Sequence, residues 1–430
     1  MNQITGDTVT VPREKMKNST APADGVQSWI KWILALLTLA AVIALGVSTV
    51  HRAAFSRIER TDFTVYRAAG RAVLQGSDIY QAHNSRGWAY VYPPPFAILM
   101  VPFTKMSVFW GALVWYVISV LLIAWAVVMA AELAGRTTVS KRDGWLLYVI
   151  PVLLISGWLV SAVTRGQASI LLLWLVIAAF YWHFRGQNVL GGLCFAGAIL
   201  LKVFPVLLLA YFAWRKRWQF TAVALIALAA GSLLLPATVF GWQRNIAYIR
   251  AWANTVARPA LSDEETRAQS YLNEQLLDPQ KPRNQSLEAV IWRLTRSGHA
   301  RAIAAVLTGM MAFATIWIAR RPLADRELVV ASAAVSWMLL VPPVSESHYF
   351  VMLLLPLAVL AGEALAPANP ATGRFARRTL IVFGVVSLGA VSGESVQLYG
   401  LLCWATVGLW AALVTLAARR SGITAGHPAG

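Results

Sequence analysis

Residues 189–214 read VLGGLCFAGAILLKVFPVLLLAYFAW, an apolar run long enough for one tilted membrane span but interrupted at its middle by Lys202-Val203-Phe204-Pro205. How this run divides decides the topology of everything after it. A single crossing would carry Arg215-Lys216-Arg217 to the outside, and with it Arg320-Arg321 and the cluster Arg374, Arg377 and Arg378, against the tendency of basic links to stay in the cytoplasm. Two short segments place every cluster inside. They also bring Lys202 to the outer end of a hairpin, away from the depth at which an ammonium is most costly. Pro205 supplies the break.

Upstream of this hairpin, residues 32–50 form an uncharged run sufficient for one span. The polar stretch before it is too long for an ordinary signal peptide, so the run is expected to be an uncleaved anchor. Residues 108–133, 145–163 and 168–184 read as spans, the last two joined by the tight link Thr164-Arg165-Gly166-Gln167. Between 96 and 105 lies an apolar piece too short to cross. Downstream, 220–240 crosses outward, and five further segments follow at roughly 301–319, 327–342, 347–365, 379–393 and 395–418. The expected fold is an all-α integral membrane bundle of about twelve membrane segments. Its polytopic domain covers 28–420, with cytoplasmic tails at 1–27 and 421–430 and two long extracytoplasmic loops at 51–107 and 239–300.

Composition supports the class. Of 430 residues, 58% are apolar and 13% charged, and the mean hydropathy is +0.60, values of a polytopic membrane protein. The net charge of +18 suits anionic lipid or a phosphate-bearing substrate, and the apolar runs exclude nucleic acid as a partner. Cys194 and Cys403 both fall in apolar segments, which points to neither a disulfide framework nor a thiolate metal site. There is no phosphate-binding glycine loop after a strand, no Walker lysine, no His-Glu-x-x-His and no Gly-x-Ser-x-Gly. A soluble α/β domain for a nucleotide is also missing.

The first loop carries the densest chemistry. Thr61-Asp62-Phe63-Thr64-Val65-Tyr66 opens a helical run that Gly76 can close, with Asp62 and Tyr66 four apart on one face. Six arginines share the loop: Arg52, Arg57, Arg60, Arg67, Arg71 and Arg86. Asp62 stands where a helix cap would stand, and the arginines also fit an interfacial helix or anionic headgroups. Tyr90-Val91-Tyr92-Pro93-Pro94-Pro95 ends the loop. On the same outer face the topology collects Arg165, Gln167, Lys202, Glu346 and His348. Each has a plainer alternative: Lys202 as a snorkelling anchor, His348 and the two tyrosines as interfacial side chains, Glu346 as a first-turn acid and Arg165 as a headgroup anchor.

The order of a first-loop Asp, Gly76-Ser77-Asp78-Ile79-Tyr80, Tyr90-Val91-Tyr92-Pro93-Pro94, Arg165-Gly166-Gln167, Leu201-Lys202-Val203-Phe204-Pro205, Asn284-Gln285-Ser286 and His348-Tyr349 resembles the family-87 glycosyltransferases of the GT-C superfamily. The resemblance implies an integral membrane enzyme that uses a polyprenyl-phosphate sugar, with Asp62 as general base. A carboxylate takes the proton of an acceptor hydroxyl, and Lys202, Arg165 and His348 meet the leaving phosphate. Gln167, Tyr66, Tyr92 and Glu346 complete the expected substrate-binding set. One base without a second carboxylate nucleophile implies inversion. A monophosphate leaving group demands no metal, and no cofactor is expected. The sugar, mannose by family analogy, would pass to a glycolipid or glycan acceptor on the extracytoplasmic face of the cell membrane. The rival readings are a flippase for lipid-linked sugars and a non-catalytic lipid-binding envelope protein.

Overall fold

The computed structural model describes residues 21–135, 137–262, 264–320 and 326–423. The outer parts of the two expected tails, 1–20 and 424–430, and the basic residues Arg136 and Arg321, lie outside the described residues. The chain divides into two units, 1–44 and 45–430. In the first, residues 21–44 are helical and belong to the helix Ala21–Ala54. The second holds the rest of that helix and every later element.

Among the described residues every regular element is helical, apart from two isolated bridges, His83 with Ala89 and Asn284 with Glu346. Seven helices among the described residues are long and apolar enough to cross a membrane: Trp32–Ala54, Val108–Leu133, Leu146–Thr164, Trp218–Phe240, Ala300–Ala319, Ser347–Leu365 and Leu401–Arg420. Ser169–Phe184, Asn188–Leu201 and Glu327–Met338 are shorter apolar helices. The backbone polar groups of such runs must bond within the segment, since lipid offers no partner, and a helix is the form that achieves this.

Ser347–Leu365 is apolar on all sides and almost wholly buried, as expected of a helix inside a bundle. Leu146–Thr164, Val108–Leu133, Glu327–Met338 and Pro370–Val391 pack around it. Trp218–Phe240 shows the opposite pattern, with Leu225, Ile226, Leu234 and Leu235 exposed. Asn188–Leu201 lies between Ser169–Phe184 and Trp218–Ala229. There Gly192 faces the Phe220 carbonyl, which would stand 2.9 Å from any Cβ, so only glycine permits the approach.

The break read at Lys202 is real: Asn188–Leu201 ends at Lys202, whose backbone is extended, and Val206–Trp214 starts after Pro205. At the far end of Val206–Trp214, Arg217 forms a forked pair with Glu327 at 2.6–2.7 Å. Several boundaries differ from expectation: the first helix runs Ala21–Ala54, beyond 32–50 at both ends, and the 327–342 segment is helical only over Glu327–Met338. Arg374, Arg377 and Arg378 lie inside the helix Pro370–Val391, because Asn369 and Thr372 make a reciprocal capping box ahead of Pro370. The last span starts at Leu401 after a short turn Glu394–Gln397, since Gly400 takes φ 73°. The stretches expected as long loops contain helices: 51–107 holds Asp62–Gln75, Pro94–Leu99 and Val101–Thr104, and 239–300 holds Trp242–Trp252 and Leu287–Thr295 among other short helices.

Candidate active site

Asp62 is the first residue of the helix Asp62–Gln75, and Thr61 occupies the cap position without a side-chain cap bond. The carboxylate of Asp62 is therefore not spent on its own helix. Its backbone N–H donates to the Arg165 carbonyl at 2.8 Å, and its Oδ2 accepts from Gln167 Nε2. The link that carries these groups turns on Gly166, at φ 61° and with Phe63 Cβ 3.0 Å from where a Cβ would stand. Trp115 Nε1 donates to the Gly166 carbonyl at 2.9 Å and fixes the turn. Gly76 closes the helix in the left-handed region, as the sequence predicts.

The hydroxyls of Tyr66 and Tyr92 lie 2.9 Å apart, and each also reaches Gln167 Oε1, at 3.3 and 3.4 Å. Gln167 thus connects the carboxylate to the tyrosine pair through its two amide ends. Phe96 packs on both rings, at 4.9 and 5.0 Å between centroids, which sets this polar chain against an aromatic wall.

Opposite Asp62 stands Lys202, 9% exposed, with Nζ 3.7 Å from the centre of the Tyr349 ring and 5.3 Å from that of Tyr92. Among the described residues no carboxylate is within salt-bridge distance of it. The tyrosine faces hold the ammonium and leave its three donors unused. Phe204 stacks on Tyr349 at 5.4 Å, so the break after Lys202 is packed in place.

Glu346 bridges Arg283 and His348, at 3.3 Å to Arg283 Nε and 3.3 Å to His348 Nδ1. His348 is 1% exposed, and its Nε2 has no partner. The turn that presents these groups is stitched by Asn284. Its Oδ1 accepts from Ser286 N and Ser345 N at 3.1 and 3.0 Å, and its Nδ2 donates to the Pro343 carbonyl at 3.1 Å. Asn284-Gln285-Ser286 is accordingly a fastener between the second loop and the 341–347 turn, a role that a motif string does not disclose.

All eight residues singled out from the sequence, Asp62, Tyr66, Tyr92, Arg165, Gln167, Lys202, Glu346 and His348, line one cavity. Trp88, Gln275 and Arg283 also line it and were not singled out from the sequence, and Tyr349 was quoted there only as part of the His348-Tyr349 motif. Arg283 adjoins a quoted motif, whereas nothing local marks Gln275. That residue clips the second loop to the first, its Oε1 accepting from Ala89 N and its Nε2 donating to the Ala89 carbonyl, both at 2.9 Å. Trp252 Nε1 adds a bond to the Val91 carbonyl at 3.1 Å. The enclosed space is about 50 Å³, room for a water or two. Across Tyr92, Lys202 and Tyr349 it adjoins a larger groove of about 350 Å³, walled by apolar residues including Phe204, Leu207, Val256 and Pro343.

Burial pushes the Asp62 carboxyl up from 3.8 to about 6. Glu346 adds to the rise, while Arg165, Lys202 and the Gln167 hydrogen bond oppose it. Such a carboxyl is ionised at neutral pH and more basic than a free aspartate, which suits proton abstraction.

The sequence profile of glycosyltransferase family 87 matches residues 90–345. The match takes in Tyr92, Arg165, Gln167 and Lys202, while Asp62, Tyr66, Glu346 and His348 lie outside it. A polyprenol-phosphate-mannose-dependent alpha-(1-2)-phosphatidylinositol mannoside mannosyltransferase of Mycolicibacterium smegmatis is 29% identical over 378 residues, 81% of this chain and 79% of that protein. One of the same description from Mycobacterium tuberculosis is 28% identical over 352 residues, 78% and 77% of the two chains. Among solved structures, ArnT from Cupriavidus metallidurans bound to undecaprenyl phosphate aligns with a TM-score of 0.42 and 14% identity, over 91% of this chain and 78% of that one. With the profile spanning more than half of its length, this multi-pass, all-helical membrane protein belongs to glycosyltransferase family 87.

Proposed function

We propose that the protein moves a mannosyl group from a polyprenyl-phosphate mannose to a lipid-linked acceptor, with Asp62 as general base. The observation that carries this reading is one cavity that holds a partly buried carboxylate and an ammonium without an ion pair among the described residues, and that adjoins an apolar groove. The named activity of the two mycobacterial relatives supports the choice of donor sugar and of a lipid-linked acceptor.

In the step we infer, the acceptor hydroxyl gives its proton to Asp62 as its oxygen bonds to the anomeric carbon. The bond from that carbon to the phosphate oxygen breaks, and its electron pair leaves with the polyprenyl phosphate. Lys202 meets the growing charge with donors that no protein group occupies, and Arg165 contributes a second cation. His348, held at Nδ1 by Glu346, presents Nε2 to the same space. Gln167, Tyr66 and Tyr92 orient the carboxylate. One base implies inversion. The polyprenyl chain lies in the groove beside Lys202. A hexose is larger than the enclosed space, so the Gln275 clip opens as substrate enters.

This reading keeps about twelve membrane segments, two long extracytoplasmic loops at 51–107 and 239–300, and a polytopic domain at 28–420 between cytoplasmic tails. The cavity then faces the outside of the cell membrane. The test is transfer of labelled mannose from polyprenyl-phosphate mannose to phosphatidylinositol mannoside by the purified protein in nanodiscs. A mannose-extended glycolipid is expected, and a protein that binds the donor without extending the acceptor refutes the enzyme reading.

A further inference from the structure

Several basic residues of the expected outer loops are engaged: Arg67 donates to the Phe103 and Met106 carbonyls, Arg267 and Arg301 share Glu288, Arg283 pairs with Glu346, and Arg293 donates to three carbonyls. Among those that form no ion pair and no side-chain hydrogen bond within the described residues, Arg52, Arg60, Arg86 and Arg165 are set apart by standing together. Backbone bonds nevertheless gather them. Arg60 N donates to the Arg52 carbonyl at 3.2 Å, and Asp62 N donates to that of Arg165 at 2.8 Å. Glu59 and Ser85 bond reciprocally at 2.9 Å, which brings Arg86 beside Arg60. Arg165, Arg60 and Arg86 are each near enough to repel Arg52, and Asp62 is near enough to attract it.

The two carboxylates within this group offset only part of its charge, two against four, and neither forms an ion pair with it. Glu59 is taken by the Ser85 backbone N–H, and Asp62 by Gln167. Arg52 Nε is buried without a partner. Four guanidiniums drawn together with neither acid nor carbonyl to meet them form a poor structural device and a good receptor for an anion, above all a phosphate, whose oxygens the forked donors match. Arg165 lines the catalytic cavity, and Arg86 lies 4.2 Å over the ring of Trp88, another of its walls. The cluster is thus continuous with the cavity, on the side of the helix end His51–Ala54 and away from the groove at Lys202.

We propose that Arg52, Arg60 and Arg86 form a second phosphate site, which holds the anionic headgroup of the acceptor glycolipid while Lys202 and Arg165 take the phosphate of the donor. The inference rests on the glycosyl-transfer reading of the cavity. It adds that the acceptor carries a phosphate and names the residues that read it. Two lipids, each with its own phosphate locus, approach Asp62 from opposite sides, so the acceptor hydroxyl meets the sugar carbon away from the departing phosphate.

The test uses the full-length protein in neutral nanodiscs and the double variant Arg60→Gln with Arg86→Gln, both exposed positions, beside the control Trp88→Phe with both arginines kept, which perturbs the ring that Arg86 covers without removing charge. Two acceptors are compared, phosphatidylinositol mannoside and an octyl mannoside with no phosphate. The variant is expected to raise the KM for phosphatidylinositol mannoside about 10-fold and to leave the KM for octyl mannoside and for the donor unchanged. Binding of phosphatidylinositol mannoside without donor should weaken by the same factor, a readout that survives if no sugar is transferred at all. Total loss of transfer with that binding difference intact would sink the mannosyltransferase reading and leave the phosphate site standing. Equal effects on both acceptors, or none on either, overturn the proposal. If instead the change scales only with phosphatidylglycerol added to the discs, the cluster gathers bulk anionic lipid and the proposal is likewise overturned.

Discussion

Replacement of Asp62 by asparagine separates catalysis from folding, and the structure fixes the sign of each effect. The amide oxygen of the new side chain can still accept from Gln167 Nε2, and the backbone N–H still reaches the Arg165 carbonyl, so the helix and the turn on Gly166 persist. Proton abstraction does not persist. Turnover should fall roughly 10²-fold to 10⁴-fold with donor binding retained. The carboxyl is raised from 3.8 to about 6, so the folded state binds its proton more tightly than the unfolded state does. The fold therefore loses stability as pH rises from about 3.8 to about 6, where the unfolded chain ionises and the folded one does not, and above that the cost is fully developed at ~3 kcal/mol. Asp62→Asn removes that cost. The variant should approach wild type in thermal stability as pH falls toward 4 and exceed it most at pH 7–8. The wild-type kcat/KM should rise with pH through about 6, and the residual rate of the variant should lose that limb. The assay is mannosyl transfer by purified protein across pH 4.5–8, with thermal unfolding on the same samples. Turnover within a few-fold of wild type would refute Asp62 as the base and send the search to Glu346 or His348.

Lys202→Met should lower kcat/KM for the donor by about 2–4 kcal/mol in transition-state terms while thermal stability hardly moves. The ammonium makes only ring contacts, and unchanged donor use would make it a mere anchor. Asn284→Ala should act the other way and cost about 2–4 kcal/mol of stability, because it strands the buried Ser286 and Ser345 N–H groups; a variant with wild-type unfolding temperature would show that the 341–347 turn holds without it. Single cysteines at 167 and 216 should label from opposite sides of the membrane in intact cells and inverted vesicles. Labelling of both from one side would overturn the hairpin at Lys202.

Much of the helical layout was legible because the cost of placing a residue in lipid is set largely by that residue and its near neighbours. Val108–Leu133 has the bounds its apolar run implies, and a lysine followed by proline breaks 189–214 where the sequence puts them. The same logic missed the start of Pro370–Val391. There a capping box extended a helix outward through three arginines, and an interfacial arginine can hold its charge in water while its backbone stays helical.

The eight site candidates could be collected from the sequence because ionisable and hydrogen-bonding groups at membrane depth are few, and topology alone sends them to one face. The sequence by itself thus determined a membrane bundle, its break at Lys202 and a set of polar groups that share one cavity. Only the tertiary structure decided which of those groups are engaged. Arg283 is tied to Glu346 and Arg67 to two carbonyls, whereas Arg60 and Arg165 have no protein partner among the described residues; as residues in a string all four are equivalent. Pairing joins groups far apart in the chain, as Asp62 with Gln167 and Gln275 with Ala89. It depends on the packed positions of several helices at once, which no local pattern of hydrophobicity or charge encodes.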